Sequence, residues 1–319
     1  SAASDVYKRQ TNNSKISLSG EESVALYAKN DSATSKYIVN NGELNLSGKR
    51  TLGAFLRGDQ TFENKANINI ADSADSKNPT IGIYTKTTTE DIKDKAGNVI
   101  GTRILEGSNI KHTSGIIEVG EKSIGIYSKT SANVDIDGGK IHVKDQGIGI
   151  YKEAGKLTIK GELDIDPHVA TAKDSEPTAV YAVNGTQVDD QASKISVGEK
   201  SYGFILNNDD PSKVNVYTNT AGTGAILGND STYLYSGGKA QITNNKDISS
   251  GNMERLIGFY IKGNSTGSGN FVNNGLLDFS TGKGNIGVYA PGSTATNTSS
   301  GKIYVGKTDD IDPLTGNIY

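Results

Sequence analysis

Three adjacent acid pairs, Asp189/Asp190, Asp209/Asp210 and Asp309/Asp310, are the residues best suited by type to catalysis. Two carboxylates about 5–10 Å apart on one face can cleave a glycosidic bond, one as acid and one as base or nucleophile. Each pair sits beside corner signals such as Asn208, Pro211 and Pro313, where Asp favours turns. No Gly-His-Gly or Arg-x-Lys set accompanies them. The three histidines, His112, His142 and His168, have no visible triad partner. Each reads as a solvated side chain, His142 as an outward strand residue.

Arg57-Gly58-Asp59 has the composition of the integrin-recognition tripeptide and follows Leu52–Leu56, where a corner would begin. These three residues are the ligand-binding candidates. Gly and Asp are also ordinary corner residues. Other strings match known patterns without their context. Gly301–Thr308 has P-loop spacing, Gly282–Gly287 the dinucleotide fingerprint, and Gly263–Gly267 a nucleophile elbow around Ser265, but none leads into a helix. No GGxGxD calcium repeat occurs, and nothing supports a single calcium site at Asp309–Asp312. No catalytic residue, cofactor or metal is therefore expected, and the chain reads as a non-enzyme.

The elements that would position these residues come from a repeat. One motif recurs as VALY (Val24–Tyr27), LGAF (Leu52–Phe55), IGIY (Ile81–Tyr84, Ile124–Tyr127, Ile148–Tyr151) and TAVY (Thr178–Tyr181). It continues as YGFI (Tyr202–Ile205), TGAI (Thr223–Ile226), IGFY (Ile257–Tyr260) and IGVY (Ile286–Tyr289). A period of roughly 20–45 residues signals a solenoid or a propeller, and units shorter than a blade of about 40–45 residues favour the solenoid. Between the motifs, a corner ending in Gly precedes strict alternation: NNGELNL (Asn40–Leu46), TSGIIEV (Thr113–Val119), DGGKIHV (Asp137–Val143), IKGELDI (Ile159–Ile165), NNGLLDF (Asn273–Phe279) and SSGKIYV (Ser299–Val305). Apolar residues two apart mark strands with one buried face. Ile141 and Val143, and likewise Ile303 and Val305, are expected inward. Gly is expected to supply positive φ at the corner.

These units predict an all-β, right-handed parallel β-helix of about ten rungs, roughly 50 Å long at ~4.8 Å per rung. The Gly/Ala and Tyr positions are expected on one face and the flanking Ile/Val/Leu on the other. An outward Tyr face would make an aromatic stripe. Two intervals are long. Residues near 86–106 contain DIKDKAGNVIGTRI (Asp91–Ile104), a two-stranded arm turning near Ala96–Asn98, and YLYSGGKAQI (Tyr233–Ile242) reads as a second arm or long corner. Insertions in solenoids often carry binding.

The composition fits a rod. The chain has 319 residues, of which 34% are hydrophobic, with 39 Gly, no Trp and no Cys. An elongated repeat needs only a thin core. The net charge is −3, and no basic stripe points to nucleic acid. Without cysteine there are no disulfides and no thiolate metal sites. No apolar run is long enough to span a membrane as a helix. Ser1–Gln10 resembles a translated sequencing-adapter string and is set apart from the fold, which is placed in 11–319. There is no initiator Met or signal peptide, and Ile318–Tyr319 falls within a repeat, so both ends are expected to be truncated.

IGIY and IGVY alternating with NNGxLxL and SGKIxV, in a Lys/Asn/Ile-rich background, resemble the passenger domains of type V autotransporters, the large fusobacterial adhesins in particular. The resemblance covers about Thr11–Tyr319. It implies a secreted or cell-surface adhesin or its rigid stalk, tethered to an outer-membrane barrel of a Gram-negative bacterium, with a host-cell or bacterial surface protein or glycan as partner. It transfers no catalytic residues. The alternatives are a carbohydrate-cleaving enzyme on the same scaffold and a phage tail-spike-like fibre.

Overall fold

The computed structural model describes residues 9–31, 35–74, 76–169, 175–220 and 224–306. Readings made on Ser1–Lys8, Thr223, Lys307–Thr308, the acids of Asp309–Asp312, Pro313 and Ile318–Tyr319 lie outside the described residues.

All regular structure among the described residues is strand. The chain winds as a parallel β-helix of about ten turns, with three short strands per turn. The first ladder holds the IGIY-type strands, such as Ile81–Lys86, Ile124–Lys129 and Ile257–Lys262. The second holds strands such as Lys36–Asn40, Gln60–Asn64 and Gly269–Asn273. The third holds the post-glycine strands, such as Leu44–Leu46, Lys140–Val143 and Leu276–Phe279. Ile148–Ile159 and Thr178–Asp190 each serve the first and second ladders in one run. Arg9 and Gln10, set apart in the sequence reading, pair with Tyr37 and Ile38 in the second ladder.

The core is a file of side chains from each ladder. Ile83, Ile126, Ile150, Val180, Phe204, Leu234 and Phe259 follow one another in register and are fully buried. Each such burial stabilises by about 1.5–3 kcal/mol. Ile141 and Val143 are buried as expected. Ile303 and Val305 are not, being 37% and 57% exposed, because no described strand stacks beyond theirs.

The faces of the IGIY strand divide differently from expectation. Glycine and the residue after it both turn inward, as Ala179/Val180 and Tyr233/Leu234 show by lying together in the core. A Cβ on Gly82 would lie 2.5 Å from the Gly125 carbonyl oxygen and 2.9 Å from Ile70 Cδ1. Glycine is needed there because the next turn and the third ladder leave no room. The Tyr position faces out. Tyr27, Phe55, Tyr84, Tyr127, Tyr151 and Tyr181 form a continuous stripe with ring centroids 4.6–5.8 Å apart.

The TGAI motif is not a first-ladder strand. Ala225–Leu227 pairs with Ile195–Val197 in the third ladder, and the first-ladder strand of that turn is Thr232–Gly237. Tyr233 thus takes the position that nine other turns give to Gly or Ala. YLYSGGKAQI is neither an arm nor a long corner. It supplies ordinary strands of the first and second ladders. A tyrosine at a glycine position hid the repeat.

Corner chemistry also departs from expectation. Gly115 and Gly139 have positive φ, but Gly42, Gly161, Gly275 and Gly301 do not. A Cβ on Gly42 would collide with the Ser14 carbonyl, and one on Gly275 with that of Lys246. Left-handed backbone falls instead two residues before the first-ladder strand, often on non-glycine residues: Glu22, Arg50, Lys122, Gln146, Lys200, Asp230 and Arg255.

An amide ladder, buried except at its end members Asn12 and Asn297, runs along the second-ladder corner. Asn12, Asn40, Asn64 and His112 are joined in file, and Asn219, Asn244, Asn273 and Asn297 form a second file. Each amide donates to the next turn at 2.7–3.0 Å, which satisfies polar groups that would otherwise be buried unpaired.

Candidate functional site

The inserted segment is an antiparallel hairpin, Thr88–Lys93 against Val99–Leu105. Its turn is tied by Asp94, whose Oδ1 accepts the Ala96 and Asn98 N–H groups. The Asn98 side-chain hydrogen bond, with the backbone bonds, holds the Asp94 carboxyl below the usual range. The arm presents Ile92, Val99, Ile100 and Ile104, with Ile100 and Ile104 each 66% exposed.

The base of the arm is an ionic cluster around Glu90. Its carboxylate lies 2.7 Å from Lys29 Nζ, 2.7 Å from an Arg57 nitrogen and 3.2 Å from an Arg103 nitrogen. Arg103 also reaches Asp31 at 3.1 Å. The hydrogen bond from Lys29, then Arg103 and Arg57, outweighs partial burial and lowers the Glu90 carboxyl from its ordinary value. The arm is thereby fastened to the first two turns.

Arg57-Gly58-Asp59 lies at this junction. The Arg57 guanidinium is held by Glu90 and Thr88. Gly58 is buried at φ 85°; its N–H donates to Glu106 and its carbonyl accepts from Ser108. Asp59 is exposed. Only the carboxylate of the tripeptide therefore faces solvent freely, while arginine is committed to fastening the arm.

The described acid pairs are taken up by different local partners. Asp190 points into the core, whereas Asp189 faces out and pairs with Lys156 at 3.3 Å. Asp210 caps Ser212, and Asp209 accepts from the Asn207 side chain. One outer grouping of acids is on the third ladder. Glu118 oxygens lie 2.9 Å from His142 Nδ1, and Asp166 lies 3.0 Å from Nε2, beside the Lys140–Asp164 pair. Partial burial would lower the His142 pKa, but hydrogen bonds to Asp166 and Glu118 prevail and raise it.

His142 is an outward strand residue as read, but His112 and His168 are not solvated. His112 is fully buried in the amide file with Nε2 unpartnered, and burial pushes its pKa down to about 4. His168 is 8% exposed and bonded to Asp145 at 2.7 Å. Among the described residues, no group of three His, Cys, Asp or Glu could hold a metal.

The pattern matches keep their repeat roles. Lys302–Val305 is a third-ladder strand, and Gly282 and Gly284 are positive-φ corner residues before Ile286–Tyr289. Ser265 lies in the tight turn bridged by Asn264 and Gly267. Sequence reasoning missed the Glu90 cluster, the buried Lys152 and the core group around Asp190. The last had one signal: Tyr233 standing where the repeat calls for glycine. No helix among the described residues is long and apolar enough to cross a membrane. The chain matches no protein-family model, no curated protein and no solved structure.

Proposed function

We propose that this chain is a segment of a surface-displayed autotransporter passenger, a rigid rod that serves as an adhesin or its stalk. The observation that carries this reading is the arm. It projects from an otherwise continuous solenoid, is fastened at its base by Glu90, and carries exposed Ile100 and Ile104. A fixed hairpin with apolar side chains on a stiff support is suited to contact a host-cell or bacterial surface protein or glycan. Weak contacts repeated along many displayed rods gain avidity. Tethering to an outer-membrane barrel belongs to the same proposal.

The test is binding of the purified chain to epithelial cells and to bacteria. It is run beside a variant in which Thr88–Leu105 is replaced by a short turn, and beside Asp59→Ala. Saturable binding lost with the arm supports the adhesive reading. Loss only in Asp59→Ala moves the site to Arg57–Asp59. Binding that survives both changes places it elsewhere on the rod, and no binding leaves the stalk role.

A further inference from the structure

Asp190, Tyr217, Tyr233 and Lys246 meet in the interior of the rod, each at most 1% exposed. Asp190 Oδ2 accepts from the Tyr217 hydroxyl at 2.8 Å, the Tyr233 hydroxyl at 2.9 Å and Lys246 Nζ at 3.1 Å. Asp190 Oδ1 accepts the Ala192 N–H at 3.0 Å. Phe204 packs edge-on against both tyrosines, with centroids 5.0 and 5.5 Å away, and Phe259 lies 5.5 Å from Tyr233. The ladder positions are unusual on both sides. Tyr233 replaces a glycine, and in its own turn Ala225, the register partner of Ile195 in the turn before, stands where a larger residue is the rule.

A lone ion pair this deep carries a large desolvation penalty. Passing one proton from the ammonium to the carboxylate removes both charges and leaves an amine facing an acid. If Oδ1 carries the acid's hydroxyl, Oδ2 is its carbonyl oxygen and already has two phenol donors aimed at it. Preorganised donors of this kind stabilise an oxyanion.

We propose that Lys246 and Asp190 close an intramolecular isopeptide bond within the folded rod. Nζ swings from the Oδ2 edge to the face of the carboxyl group and attacks Cγ. The N–C bond forms as the carbonyl electron pair moves to Oδ2, where Tyr217 and Tyr233 hold it. Collapse restores the carbonyl and breaks the Cγ–Oδ1 bond; the hydroxyl takes one proton from nitrogen and leaves as water. No electron changes hands and no co-reactant is required. The amide keeps both phenol hydrogen bonds and contains no buried charge. It fastens the strand ending at Asp190 to the corner after Asn244, two turns further along, across the turn that carries Tyr217.

The experiment is the intact mass of the folded full chain, measured after denaturation, with fragmentation of its proteolytic peptides. The expected result is a mass one water below that of the sequence, and one branched peptide joining Asp190 to Lys246. Asp190→Ala should give the full sequence mass. Asp190→Asn should reach the wild-type product by losing ammonia. Tyr217→Phe with Tyr233→Phe should slow closure several-fold after refolding. A natively folded wild-type chain that keeps its full mass through long incubation overturns the proposal, as does water loss at any other pair. The wild-type measurement decides even if a variant does not fold.

Discussion

Lys152 occupies an inward position of the first ladder, between Ser128 and Ala182 in register. Those small neighbours fit a buried lysine stem. Its Nζ is fully buried and donates to the carbonyls of Thr130, Glu153 and Ala154. Burial pushes its pKa down to about 7. The unfolded chain therefore binds more protons than the folded one between about pH 7 and the ordinary lysine value of 10.5, and stability rises with pH across that window. Urea midpoints of the wild type should climb relative to Lys152→Met from neutral to alkaline pH; parallel curves would contradict this. His112 gives the acid counterpart. With its folded pKa near 4 against an ordinary 6.5, stability is lost as pH falls through that interval. His112→Asn would continue the amide file from Asn64, and its urea midpoint should fall less steeply between those two pH values.

At the scale of the element, the left-handed corner before most first-ladder strands is the recurrent weak point. Lys200 sits there at φ 52°, a left-handed conformation that disfavours a side chain by roughly 1–2 kcal/mol. Part of that is offset by the greater freedom glycine gives the unfolded chain. Lys200→Gly should therefore stabilise by about 0.5–1 kcal/mol in equilibrium unfolding. The arm makes a separate prediction. The Glu90 cluster lies at the surface, where water screens its charges, so it adds little to global stability and acts locally on the arm. Glu90→Gln should leave the unfolding midpoint nearly unchanged while trypsin cleaves at Lys93 and Lys95 several-fold faster. Unchanged cleavage would mean that the strand pairing alone holds the hairpin.

For the whole molecule, each turn rests on its two neighbours, so stability is a nearest-neighbour sum. Leu163→Ala, at a fully packed central position, should cost about 2–5 kcal/mol, whereas Leu18→Ala, partly buried near one end, should cost clearly less. Hydrogen exchange should show lost protection confined to the turns around each lesion. The same modularity made the fold readable. The IGIY strands and the post-glycine strands were legible because each turn repeats the same burial demand, and Leu44/Leu46 and Ile141/Val143 face inward as their alternation predicts. The turn containing Tyr233 was misplaced because one large residue sits where the repeat requires a small one, and sequence could not show that the core had room for it.

The sequence alone therefore determined the period, the parallel stacking and the third-ladder core, because a side chain buried every second residue leaves a local trace. Tertiary structure alone decided what the buried polar groups do. Asp190 and Lys246 are 56 residues apart, as are no motif's parts, and become partners only when two further turns of the rod stack above Asp190. It likewise tied Arg57 to Glu90 across 33 positions, converting a tripeptide that reads as a ligand into the fastening of an arm. Such contacts depend on how turns stack, and stacking distance is not sequence distance.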